Sequence, residues 1–202
     1  MSGKKKEKTM SIAKTKDYLV DVARRLFAQY GKTNVTMNDI ATVSQKGRRT
    51  LYTYFSSKDE IYLAVIKNEV AILLTKLEAV ATKNIPPDEK LSEYIYVRQN
   101  AISDSIARNG SLRADFFRDI YEVQRSRRRI DLIEQKMIKK VLDDGVAQNL
   151  FAIEDTNLAS LIILYALKGM ETPFTRKKMS KYIESRYNKI VNAIFRGIKK
   201  VD

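Results

Sequence analysis

Apolar residues recur every three or four positions along most of the chain, and no stretch alternates as a strand would. Leu19, Val22, Ala23, Leu26, Phe27 and Tyr30 step along one helical face, and Gly31 follows where a left-handed cap is expected. Thr36 and Asp39 have the spacing of a capping box, with Ile40, Ala41 and Val43 as the apolar residues behind it, so a short helix is predicted from Met37 to about Ser44. A polar link, Gln45, Lys46 and Gly47, leads to a second short helix from Arg48 to Phe55. Ser57 and Glu60 repeat the capping-box spacing and open a long helix to about Lys83, ended by Asn84, Ile85, Pro86 and Pro87. A further helix is expected from about Asp88 to Arg108, ending at Asn109-Gly110, with Ser111 able to cap the next. One or two helices follow as far as Asp144-Gly145 and include the basic run Arg125, Arg127, Arg128 and Arg129, most simply a solvated face. Asp155 or Thr156 then starts the most apolar helix, with Leu158, Leu161, Ile162, Tyr165 and Ala166 on one stripe and Gly169 and Pro173 at its end. A last helix is expected over about Arg176 to Lys200, with Met179, Ile183, Tyr187, Ile190, Ile194 and Ile198 on its face.

The segment Val35 to Glu60 carries the chemistry. Each residue of a helix is rotated by about 100° from the last, which sorts the second short helix into two halves. Arg48, Arg49, Tyr52 and Thr53 fall on one; Thr50, Leu51, Tyr54 and Phe55 fall on the other. The helix therefore has a back to pack on its predecessor and a front of two guanidinium groups, a phenol and a hydroxyl, suited to the DNA major groove. Arg48 and Arg49 open that helix, where an Arg can grip guanine through two parallel hydrogen bonds or hold a phosphate. Asn38 can reach a base edge or serve the helix start, and Tyr52 and Thr53 can bond phosphate or touch a thymine methyl group. Thr36 and Lys58 stand at helix starts, which attract phosphate, although Thr36 can equally be a cap and nothing more. Lys4, Lys5, Lys6 and Lys8 form either an arm along the duplex or a solvated tail.

Charge supports this reading. Among 202 residues the net charge is +14, and residues 1–57 hold 12 Lys or Arg against 4 acids, an excess of 8 in little over a quarter of the chain. Basic side chains so gathered displace counterions from phosphates. With no Cys and no His, the chain lacks disulfides, thiolate or imidazole metal ligands and the commonest nucleophile–base pairs of hydrolases. No catalytic, metal or cofactor site is expected. The basic start MSGKKKEKTM is followed by no apolar run of the signal-peptide kind, and the longest apolar stretch, Leu158 to Leu167, is far below the roughly 20 residues of a spanning helix. A cytoplasmic protein without membrane partners is expected.

The run DIATVSQKGRRTLYTYFSSKDEIY resembles the N-terminal DNA-binding domain of the TetR family of bacterial transcriptional regulators. Matching positions are Ile40, Ala41, Thr50, Leu51, Tyr52, Tyr54, Phe55 and Lys58, and the likeness spans roughly Lys16 to Ile66. It implies an all-α fold of about nine helices: a three-helix head with a helix-turn-helix over residues 1–57, and a C-terminal bundle of about six helices over residues 58–202 for effector binding and dimerisation. It further implies a homodimer through the last two helices, a palindromic operator in double-stranded DNA, and a small-molecule effector that relieves repression. Two recognition helices held about 34 to 36 Å apart read successive major grooves, which one short helix alone does weakly. The apolar stripes of the last two helices fit that interface or, alternatively, the monomer core.

The turn departs from the family pattern. Where the family has a small residue, Gly, Val and then Ser, this chain has Ser44, Gln45, Lys46 and Gly47. Gly47 is expected to take over the turn, with the Lys46 stem over the apolar gap and its ammonium toward phosphate. For an effector, Arg98 stands within the stripe Leu91, Tyr94, Ile95, Ala101, Ile102, Ser105 and Ile106, with Tyr94, Phe117 and Tyr121 as candidate walls. Arg98 either meets an anionic effector or pairs with a carboxylate. A second function class, a basic helical interaction protein that binds acidic partners or polyanions without reading sequence, stays open, as does an enzyme using only carboxylates, Lys or Tyr.

Overall fold

The computed structural model describes residues 2–109, 121–169 and 187–199, with side chains described outside 2–12, 121–127, 187–188 and 190. Within it the chain forms eight helices: α1 (Ser2–Tyr30), α2 (Met37–Val43), α3 (Arg48–Tyr54), α4 (Lys58–Ala81), α5 (Pro87–Asn109), α6 (Tyr121–Ala147), α7 (Thr156–Gly169) and α8 (Tyr187–Ile198). The only pairing of strand type among the described residues is one bridge between Phe151 and Lys199. Ser111, Phe117, Pro173, Met179 and Ile183 lie outside the described residues.

Two compact units result. The first comprises residues up to Glu69 and the end of α5 from Ala107; the second comprises Val70–Ile106 and the helices from α6 onward. α4 and α5 thus contribute to both.

In the first unit, Leu19, Val22, Ala23 and Phe27 of α1 are buried with Ile40 of α2, Leu51 of α3 and Ile61, Tyr62 and Val65 of α4. Burying each large side chain contributes roughly 1.5 to 3 kcal/mol, so this small core outweighs the weak propensity of two seven-residue helices. Phe27 meets Tyr62 edge to face at 6.0 Å. Gly31 closes α1 at φ 80, its N–H donating to the Phe27 carbonyl at 2.9 Å, as the sequence predicts. The basic run near the start belongs to the backbone of α1 and is not an extended arm.

In the second unit Leu77, Val80, Leu91, Tyr94, Ile95, Ile138, Val141, Leu142, Phe151, Ile163, Leu164 and Leu167 make one core, against which Val191, Ile194, Phe195 and Ile198 pack. α6 continues through Gly145 to Ala147, past the expected break. Gly145 is there for space: a Cβ on it would lie 2.1 Å from the Phe151 ring. Asp155 caps α7, accepting from the Leu158 N–H at 2.9 Å.

The stripe of α7 is left largely uncovered. Ser160, Ile163, Leu164 and Leu167 are buried, whereas Leu158, Ile162 and Tyr165 are 52%, 61% and 59% exposed. The stripe read from the sequence is therefore not monomer core. α7 is apolar on two sides, and hydropathy alone does not say which one the fold covers.

Candidate nucleic-acid interface

α2 and α3 present the site, and local hydrogen bonds fix both. The Thr36 hydroxyl accepts from the Asp39 N–H at 3.2 Å, and the Asp39 carboxylate accepts from the Thr36 N–H at 2.8 Å and from its hydroxyl at 2.7 Å. The capping box is complete, and these bonds hold the Asp39 carboxyl below its usual pKa. At the start of α4 the pattern is shared between neighbours: Ser57 accepts from the Glu60 N–H at 3.2 Å, while the Glu60 carboxylate takes the N–H of Ser56 at 2.6 Å. That arrangement lowers the Glu60 carboxyl pKa as well.

The turn is a correction to the sequence reading. The Gln45 N–H donates to the Thr42 carbonyl at 3.1 Å and the Lys46 N–H to the Ala41 carbonyl at 3.1 Å. This is the crossed pair of bonds that ends a helix in a Schellman motif, which needs a left-handed residue one position past the cap. Gln45 supplies it, at φ 53, not Gly47. Gly47 instead precedes α3 at φ −59 and ψ 145, backbone open to any residue, and offers no side-chain cap. Ser44 stays buried, its hydroxyl donating to the Ala41 carbonyl. Val43, expected among the apolar backing, is about half exposed.

α3 divides nearly as its periodicity demands. Leu51 and the following Phe55 are buried, while Arg48, Arg49, Tyr52 and Thr53 face solvent. Thr50, assigned to the back, is also exposed. Six consecutive residues, Gln45 to Thr50, are exposed between buried Ser44 and buried Leu51. Asn38 is exposed beside them in chain order, on the first turn of α2. Thr53 donates its hydroxyl to the Arg49 carbonyl at 2.9 Å, so only its oxygen lone pairs remain for a ligand. Lys58 is half-buried, with its ammonium on the carbonyls of Lys32 at 2.9 Å and Thr33 at 3.4 Å, which ties down the loop after α1. Arg48, Arg49 and Lys46 make no ion pair among the described residues, leaving three exposed cations within four residues of chain.

The residues considered for an effector are placed differently. Tyr94 is fully buried, and its hydroxyl has no hydrogen-bond partner among the described residues; burial drives its pKa upward. Arg98 is 3% exposed and donates from Nε to Glu134 Oε2 at 2.5 Å, Glu134 itself being 2% exposed. Of the two readings of Arg98, pairing with a carboxylate is the one the fold displays. Phe117 and the Tyr121 side chain lie outside the described residues. Glu134 and Gln45 were missed in the sequence. Gln45 was signalled by the missing turn glycine, whereas nothing near Glu134 in the chain marks it as the partner of Arg98.

A three-helix head whose short last helix is pinned by two apolar residues and bears Arg and hydroxyl groups outward is a helix-turn-helix of the transcription-regulator class. Residues 19–65 match the family profile described as bacterial regulatory proteins, tetR family. Over those residues the chain carries a head like the DNA-binding domain of the TetR family of transcriptional regulators. It is similar to the HTH-type transcriptional regulator QacR of Staphylococcus aureus, 23% identical over 92% of this chain and 98% of that protein. Likeness to the HTH-type transcriptional regulator BetI of Agrobacterium fabrum is higher, 34%, but covers 39% of this chain and 38% of the other. A transcriptional regulator from Cytophaga hutchinsonii has the same fold, with TM-score 0.78 at 19% identity over 91% of this chain and 98% of that one. So has the chain of a SmeT–triclosan complex, with TM-score 0.70 at 12% identity over 92% of each. Among the described residues no helix is long and apolar enough to cross a membrane, and no cluster of acidic side chains could hold a metal ion.

Proposed function

We propose that the protein is a cytoplasmic, homodimeric, ligand-responsive repressor that occludes a promoter by binding a palindromic operator. The observation that carries this reading is the division of α3, with Leu51 and Phe55 held in the core and Arg48, Arg49, Tyr52 and Thr53 turned outward. Arg48 or Arg49 reads guanine; Asn38, Lys46, Tyr52, Thr53, Thr36 and Lys58 hold the backbone or neighbouring base edges. The exposed Leu158, Ile162 and Tyr165 of α7 support dimerisation, because an apolar stripe of that kind is costly to leave in water. An effector in the C-terminal domain, with Tyr94, Arg98, Phe117 and Tyr121 as candidate contacts, favours a dimer whose heads are wrongly spaced.

Selection of bound duplexes from a random pool tests the reading. A palindrome with half-sites about one helical turn or a multiple apart is expected, and Arg48→Ala or Arg49→Ala should relax discrimination at one position by about 1 to 3 kcal/mol. Equal binding of all duplexes at matched salt would instead favour a plain polyanion binder. Ile162→Asp should yield monomers that bind half-sites weakly; an unchanged dimer would place the interface elsewhere.

A further inference from the structure

Gln45 is held at φ 53, where a non-glycine side chain crowds its own carbonyl. It occupies the left-handed position of the Schellman turn between α2 and α3, a place that glycine fills without strain. Two residues on, Gly47 sits at φ −59, where any residue fits and a Cβ would come no nearer than 3.9 Å to Thr50 Oγ1. The glycine is spent where it is not needed and withheld where it is. Strain of this kind persists where the surroundings impose it and marks a candidate functional position. The Gln45 side chain is exposed, has no hydrogen bond among the described residues and opens the exposed run that continues through Lys46, Arg48 and Arg49. It therefore adds nothing evident to the core in return for its conformation.

We infer that Gln45 is a DNA contact of this protein, its carboxamide donating to a phosphate oxygen at the entry to the recognition helix. This rests on the proposed DNA-binding role of α3 and extends it to a residue outside that helix. A carboxamide is a neutral donor with two N–H groups, so it positions the duplex without displacing a counterion. The turn places it on the same exposed segment as the cations that do. Its contribution is consequently independent of salt and of base sequence, unlike that of its neighbours.

The test compares Gln45→Gly with the wild type on the selected operator and on random duplex, over a range of salt, beside thermal melting of each protein. Gln45→Gly should melt higher, since strain is relieved, yet bind both duplexes about tenfold more weakly, as expected when a hydrogen bond to a charged acceptor is lost. The slope of log affinity against log salt should not change, whereas Lys46→Ala should reduce it by about one. Gln45→Glu, of the same size, should bind more weakly still through repulsion. Undiminished affinity of Gln45→Gly for the operator overturns the inference, and so does a loss confined to the operator, which would make Gln45 a base reader. If the wild type selects no operator at all, the DNA-binding reading fails first, and that result is recognisable before any variant is made.

Discussion

Replacing Glu134 with Gln removes one charge from the most deeply buried ion pair among the described residues while keeping side-chain volume. Both partners are almost without solvent, Arg98 at 3% and Glu134 at 2%, so water cannot take over the guanidinium when its carboxylate is lost. Breaking such a pair costs about 3 to 5 kcal/mol, mainly as the penalty of an uncompensated buried charge. For a chain of this size each kcal/mol shifts the melting temperature by roughly 2 to 4 °C, so a fall of about 6 to 20 °C is expected. Urea unfolding followed by circular dichroism should show the same loss in free energy without a change in slope. Replacing both partners with apolar residues, Arg98→Met with Glu134→Leu, should recover most of the stability, because the desolvation penalty disappears with the charges. A loss below about 1 kcal/mol for Glu134→Gln would refute the reasoning, since it would mean that the guanidinium reaches water or another acceptor. A double variant less stable than Glu134→Gln would refute it too.

Gly145→Ala should destabilise by about 1 to 3 kcal/mol in chemical unfolding, because its methyl group would overlap the Phe151 ring; a neutral result would show that the ring moves aside easily. Gly47→Ser should raise stability by roughly a few tenths of a kcal/mol, by adding the side-chain cap that α3 lacks, and a decrease would show that Gly47 is needed for another reason. Asp39 and Glu60 have carboxyl pKa values below their ordinary 3.8 and 4.5, so their contribution is present above those values and lost as pH falls through the lower folded ones. Thermal melts from pH 6 down to pH 2.5 should show an acid-induced loss that shrinks in Asp39→Asn, and an identical pH profile for that variant would count against the capping account.

Much of the DNA-binding head was legible because its determinants are close in sequence. Thr36 and Asp39 are three residues apart and bond each other across that interval, and the apolar spacing of α1 and α3 translates directly into buried and exposed faces. The turn was legible as a turn, but the choice of left-handed residue was not. Composition pointed to Gly47, whereas the length of α2 and its two crossed hydrogen bonds put the requirement on Gln45.

Sequence by itself determined most of the described helices, the Thr36–Asp39 cap and the polar front of α3, since each depends on bonds and periodicities spanning a few residues. Tertiary structure alone decided which side of α7 is covered, leaving Leu158, Ile162 and Tyr165 outside, and it alone joined Arg98 to Glu134 across 36 residues of chain. The reason is that hydropathy records how strongly a face avoids water, while the partner that covers it is set by packing among residues distant in sequence.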